Sequence, residues 1–245
     1  MGRTLRSSDY YLVRKIGKAI NDYKMIQDKD RVLVGVSGGK DSLTLLSVLH
    51  ERKKWVPIDY DVVAVNIQSD YKCSNDIDLD SLRDFFEKNN YEYHIHNIKI
   101  TGGQSKNKDS INCFWCSWNR RKCLFELAVK FKCNKVALGH HLDDIVQTIL
   151  LNLFYQAEIS AMVPKVRMFN GELDIIRPLA YVEEKEIIRF AKKKEFPVKV
   201  CKCPNSQDSQ RTHMRKMIEG LEKVCPHVRK NIFNSLKNIK KDYLV

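Results

Sequence analysis

The 245-residue sequence predicts an α/β protein built on a doubly wound, mostly parallel sheet. Three observations carry this. Aliphatic and β-branched runs at residues 31–36, 61–67 and 135–138 read as strands buried on both faces, because they are continuously apolar rather than alternating. Segments with apolar residues at helical spacing lie between them, so strand and helix alternate along the chain. The first run breaks into Ser37-Gly38-Gly39-Lys40-Asp41-Ser42, a glycine turn that opens a helix at the end of a strand, where such sheets bind ligands.

Taken in order, residues 10–23 place Leu12, Val13, Ile16, Ala19 and Ile20 close to helical spacing with Lys and Arg opposite, predicting an amphipathic helix against the domain. The strand at 31–36 leads to a helix through Leu43, Leu45, Leu46, Val48 and Leu49. Residues 61–67 (DVVAVNI) predict a second strand, 78–89 a polar helix with Leu79, Leu82, Phe85 and Phe86 inward, and 92–98 a third, alternating strand. A Gly, Ser, Lys and Asn loop at 101–110 precedes a helix ending at Lys130. The short strand at 135–138 stops at Gly139-His140-His141, a helix covers 145–155, and 174–176 forms a last strand. Arg177-Pro178-Leu179 then enters a helix starting at residue 182 or 183. The expected organisation is a helical segment (1–30), one nucleotide-binding domain (31–197) and a cysteine-containing basic helical extension of that domain (198–245).

The net charge is +13, and from residue 185 onward sixteen Lys or Arg face six Asp or Glu. That surplus is a footprint for a polyanion, most simply a nucleic acid. Arg211, Arg215 and Lys216 are candidate phosphate contacts there. No apolar run reaches the roughly eighteen residues of a membrane span, and residues 1–9 have no apolar core behind their charges, so a cytoplasmic protein with no membrane partner is expected. In that compartment eight cysteines predict metal or sulfur chemistry and buried thiols rather than a disulfide framework.

The turn at 37–42 suits a phosphate. Glycine lets backbone approach a ligand, and the first helical N–H groups add the positive end of the helix dipole. The spacing is not the Walker pattern. Gly139-His140-His141-Leu142-Asp143-Asp144 occupies the same kind of strand-to-helix turn, so the two converge on one rim of a parallel sheet. Asp143 or Asp144 on one side and Asp41 on the other are candidate Mg²⁺ ligands, and Asp143 is equally readable as a helix cap. Cys113-Phe-Trp-Cys116 and Cys201-Lys-Cys203-Pro are two thiol pairs. They suit tetrahedral zinc, an iron–sulfur cubane with one open iron, or a redox pair. Cys123 and Cys133 read as core thiols.

The hexapeptide SGGKDS resembles the signature of the PP-loop ATP pyrophosphatases. In the order SGGKDSLTLL, CFWCSWNRR, GHHLDDIVQTILLNLFY, IIRPLAYVEEKEIIRFA and FPVKVCKCPNSQDSQR, the chain resembles the TtcA branch of the TtcA/TtuA tRNA 2-thiolation enzymes over roughly residues 10–240. The resemblance implies a PP-loop fold and an ATP-dependent tRNA sulfurtransferase. In it the C2 oxygen of a tRNA pyrimidine, expected to be cytidine, is adenylated and replaced by sulfur. It implies ATP and Mg²⁺ at Ser37, Gly38, Gly39, Lys40, Asp41, Ser42, Gly139, His140, Asp143 and Asp144, and a basic Arg120 near ATP. It also implies a [4Fe-4S] cluster on Cys113, Cys116 and a third cysteine. Here the sequence departs from the expected Cys-x-x-Cys; Cys203 is the choice and Cys201 the alternative. A homodimer and an unidentified sulfur donor complete the expectation. A related iron–sulfur PP-loop enzyme acting on another thiolated base or a small molecule, desulfuration included, and a non-catalytic zinc or cluster RNA-binding protein stay open at this level.

Overall fold

The computed structural model describes residues 7–70, 78–100, 113–198 and 210–243. Cys201, Cys203 and the loop expected at 101–110 lie outside the described residues, as does the side chain of Cys113. Six strands form one sheet: β1 Asp30–Gly35, β2 Tyr60–Ser69, β3 Glu92–Ile98, β4 Lys135–Ala137, β5 Lys165–Met168 and β6 Leu173–Ile176. Their order is β3-β2-β1-β4-β6-β5, parallel except for β5, which runs antiparallel at one edge. The expected architecture is the one observed.

Alternation along the strands sorts the core into two layers. Val32 and Val34 face α1 (Ser7–Asp22), α2 (Lys40–Arg52), α3 (Leu79–Lys88) and α6 (Glu184–Lys193), joining Leu12, Ile16, Leu43, Leu46, Phe86 and Ile187. Leu33, Val63, Val65 and Val136 face α4 (Cys113–Lys130) through Cys123, Leu127 and Ala128. Cys123 and Cys133 are both buried, as expected of core thiols. A third apolar cluster joins α5 (Leu142–Tyr155) to α7 (Gln210–Glu222) and α8 (Val228–Ser235) through Ile145, Ile149, Met214, Ile218 and Phe233. The basic helices are therefore docked on the domain.

Strand β5 is a departure from the sequence reading, which placed one strand here. Its LysValArgMet stretch has no apolar run, and it is held by pairing to β6 and by Lys165, 3.2 Å from Asp174. Basic side chains of this kind also protect an edge from further pairing. Among the described residues no helix is long and apolar enough to cross a membrane.

Candidate active site

The chain leaves β1 toward β2 and β3 on one side, and β4 and β6 lie on the other. The crevice between the carboxyl ends of β1 and β4 is thus the switch point of the sheet. Two loops fill it. Gly38 adopts a left-handed φ of 78°, which glycine accepts without steric cost. The Ser42 hydroxyl accepts from Ser37 N at 3.2 Å and donates to Gly39 O at 3.0 Å, pinning the turn. Gly39 caps α2 without a side-chain hydrogen bond, so the helix's first N–H groups keep their capacity for an anion. A Cβ at Gly139 would lie 3.0 Å from Ser42 N and 3.1 Å from the Asp41 carbonyl carbon. Backbone packs on backbone there, and glycine is the residue that permits it.

The sequence-predicted carboxylates converge on one buried imidazole. His141 Nε2 is 3.5 Å from Asp144 and 3.9 Å from Asp41, and Nδ1 is 3.5 Å from Asp143. Burial alone would lower the His141 pKa; the Asp143 carboxylate facing Nδ1 and the Asp144 and Asp41 charges outweigh it and raise the pKa. Burial raises the Asp41 carboxyl, against Lys40 and His141, and Asp41 Oδ1 is buried without a hydrogen bond. His140 behaves oppositely. Burial pushes it down to about 4, Asp144 opposes, and Arg177 and Arg211 reinforce the drop, leaving a neutral ring whose buried Nδ1 has no partner.

Asp143 and Asp144 are adjacent yet differ in environment, because successive helical residues point about 100° apart. Both Asp143 oxygens are engaged, by Glu184 N–H at 2.7 Å and by Arg229 Nε at 2.7 Å. Burial would raise its pKa, but the His141 imidazole 3.5 Å away and the Glu184 and Arg229 hydrogen bonds hold it far below the usual range. Asp143 thus ties α5 to α6 and α8. Asp144 accepts the His141 backbone N–H at 3.0 Å and is the more exposed of the pair. The carboxyl group that caps α5 in this way is Asp144. With its orphaned oxygen, Asp41 beside Asp144 fits a hard divalent cation, which would supply the charge that offsets polyphosphate here.

Four residues join the site that sequence reading did not single out: Glu184, Arg229, Arg177 and Arg121. Lys40 Nζ lies 2.9 Å from Glu184 and 3.2 Å from Asp41. Arg177 follows β6 on the same rim, and its lowered pKa arises from burial and from the Arg121 charge on α4. Its place at a strand end was a signal available in the sequence, since the other two site loops also follow directly on strands. Of the predicted phosphate contacts, Arg211, Arg215 and Lys216 are exposed on α7. Arg215 lies 3.3 Å from Glu184, and Arg211 acts on His140, so α7 borders the site.

Helix α4 carries the first thiol pair. Leu124 touches the level of Gly35, the last residue of β1, where an added Cβ would meet Leu124 Cδ1 at 3.3 Å. The eleven steps from Cys113 to Leu124 span about 16 Å at 1.5 Å each. The amino-terminal turns of α4 therefore stand above the rim. Cys116 there is a half-buried free thiol, and Arg120, one turn above Leu124, has a buried Nε with no partner.

Fold and site together define a nucleotide-binding α/β protein whose phosphate turn differs from the Walker type. A model of the PP-loop domain matches residues 9–221. The chain is 40% identical over 234 residues to the tRNA-cytidine(32) 2-sulfurtransferase of Geobacter sulfurreducens, covering 94% of this chain and 90% of that protein. It is 38% identical over 235 residues to the enzyme of that name from Geotalea uraniireducens, covering 94% and 92%. Among solved structures it resembles the U34-tRNA thiolase NcsA from Methanococcus maripaludis with its [4Fe-4S] cluster, with a TM-score of 0.74, 25% identity, and coverage of 94% of this chain and 78% of that one. The chain belongs to the PP-loop domain family and, within it, to the TtcA branch of tRNA 2-thiolation enzymes.

Proposed function

We propose that the protein is an ATP-dependent tRNA 2-thiolation enzyme acting on a cytidine, at position 32 by similarity to the relatives above. The observation that supports it is the meeting at one rim of a phosphate turn, a carboxylate cluster and the overhanging CxxC helix. ATP phosphates rest on the turn at Ser37, Gly38, Gly39, Lys40 and Ser42, beside Gly139 and His140. Asp41 and Asp144 would hold Mg²⁺, which would offset the polyphosphate charge, and Asp143 positions the α5 loop. The cytidine C2 oxygen attacks the α-phosphorus and pyrophosphate leaves; sulfide then adds at C2, and AMP departs with the original oxygen. Arg120 offsets charge developing at the α-phosphate. Cys113, Cys116 and a third thiol, Cys203 or Cys201, would hold a [4Fe-4S] cluster, which would supply the sulfur-binding chemistry of the replacement step.

Arg211, Arg215 and Lys216 on α7 contact tRNA phosphates at the border of the ATP site. A homodimer, a cytoplasmic location and a separate protein or small-molecule sulfur donor belong to the same proposal. The test is anaerobic purification with iron, sulfide and zinc quantification on wild type and on Cys113→Ala, Cys201→Ala and Cys203→Ala. About four irons per chain, lost in Cys113→Ala and in one of the other two variants, is the expected result. Stoichiometric zinc without iron would overturn the cluster assignment.

A further inference from the structure

Beyond the thiols, the overhanging part of α4 carries a feature that the reaction above does not use. Trp115 and Trp118, one turn apart, lie parallel with ring centroids 5.4 Å apart and an interplanar angle of 12°. Both are large apolar side chains in contact with solvent, 48% and 43% exposed. Lys122 continues the column, its Nζ 5.8 Å from the Trp118 ring centroid. Arg121 is exposed beside them and acts on Arg177 at the sheet rim. From Trp115 to Phe125 the helix has no carboxylate, and the next, Glu126, is 3.9 Å from Lys122.

A core role does not account for this column. The buried face of α4 is made by Cys123, Leu127 and Ala128, and among the described residues neither indole belongs to an apolar cluster. Two adjoining, nearly half-exposed indoles form the kind of apolar surface that marks an interaction site. Indole faces flanked by cations suit an unpaired nucleobase with its phosphate: stacking uses the ring, and the cations take the backbone charge. The proposed reaction supplies such a partner. A cytidine whose C2 oxygen attacks ATP cannot be in a Watson–Crick pair, since that oxygen would accept from guanine, so it reacts from an unpaired stretch or flipped out of its stack, and a base beside it in an unpaired stretch is open to stacking.

We infer that the Trp115–Trp118 column is a stacking platform for an unpaired base adjacent to the reacting nucleotide, with Arg121 and Lys122 on its phosphate. The inference rests on the tRNA reading above. The column stands on α4 one to two turns beyond Arg121. A base stacked on it holds its neighbour toward Arg177, His140 and the ATP turn, beneath Cys116. Trp115 and Trp118 are thus substrate-positioning residues.

The experiment uses the full chain with an in-vitro-transcribed, unmodified tRNA as probe. Dissociation constants are measured for wild type, Trp118→Ala, Trp118→Phe and Trp115→Ala, with iron content and ATP affinity measured in parallel. Indole fluorescence of the wild type should be quenched on titration with the tRNA. Trp118→Ala and Trp115→Ala should each weaken tRNA binding roughly ten- to a hundredfold, while Trp118→Phe recovers most of the loss. Iron content and ATP affinity should stay at wild-type levels, and thiolation should show a raised KM for tRNA. Unchanged tRNA affinity in both alanine variants, or a loss of iron with tRNA affinity intact, would overturn the platform. If the wild type binds tRNA through the column yet thiolates nothing, the catalytic reading fails and the platform stands.

Discussion

The two ends of the same sheet carry similar charged residues in opposite arrangements. At the amino end, between β1, β4 and β6, Lys135 lies 2.8 Å from Asp174 and 3.8 Å from Asp30. Asp30 also accepts from Asn134 at 2.6 Å and from Gln27 N at 2.7 Å. All three charged groups are under a tenth exposed. At the carboxyl end three carboxylates crowd one histidine, and Asp41 Oδ1 and His140 Nδ1 stay unpaired. The amino-end network closes on itself as ion pairs, with Arg167 3.6 Å from the one Asp174 oxygen that makes no hydrogen bond, and it fixes the register of three strands. The open one leaves buried polar groups waiting for a ligand, a cost kept only where binding offsets it.

Breaking the amino end should cost the most. Lys135→Met removes the cation that two buried carboxylates share, leaving Asp174 to Lys165 and Asp30 to its amide partners, and is expected to lower unfolding free energy by about 3 kcal/mol, read in denaturant melts, with the turnover of folded molecules unchanged. A loss of turnover with unchanged stability would erase the contrast between the ends. At the carboxyl end the outcome should invert. Asp41→Asn removes a charge from a desolvated carboxyl and should leave the thermal midpoint unchanged or raised, while pyrophosphate release falls about a hundredfold.

Much of this contrast was legible in the sequence, but unevenly. The strands at 31–36 and 61–67 could be read because burial on both faces leaves an unbroken apolar run, and the glycine turns because few other uses require that spacing. Strand β5 could not, since a polar edge strand draws its order from its neighbour. Asp30 and Asp174 lie 105 and 39 positions from Lys135 in sequence, and only the sheet register brings the three together. The roles of Asp143 and Asp144 could not be separated either, because Glu184 and Arg229 decide them.

A smaller effect is expected from Gly139→Ala. The added methyl would press on the Ser42 backbone, moving two loops apart, and should weaken ATP binding about tenfold, by roughly 1.4 kcal/mol, as read by calorimetry. The smallest sharpens the closed end through pH. Burial alone would raise the Asp174 carboxyl, but Lys135 and Lys165 hold it below the ordinary carboxylate range. A folded-state pKa below the unfolded value gives stability that is present above about pH 4 and is lost as pH falls through the folded pKa. Denaturant melts between neutral pH and pH 3 should therefore show a shallower acid decline in Asp174→Asn than in wild type; parallel declines would remove Asp174 from the account.

The most direct test of the thiolation account is nucleoside mass spectrometry after anaerobic incubation of the reconstituted protein with unmodified tRNA, ATP, Mg²⁺ and sulfide. The expected result is 2-thiocytidine formed with stoichiometric AMP, abolished in Cys116→Ala while that variant still binds ATP. AMP release without any thionucleoside, or full thiolation by Cys116→Ala, would contradict it.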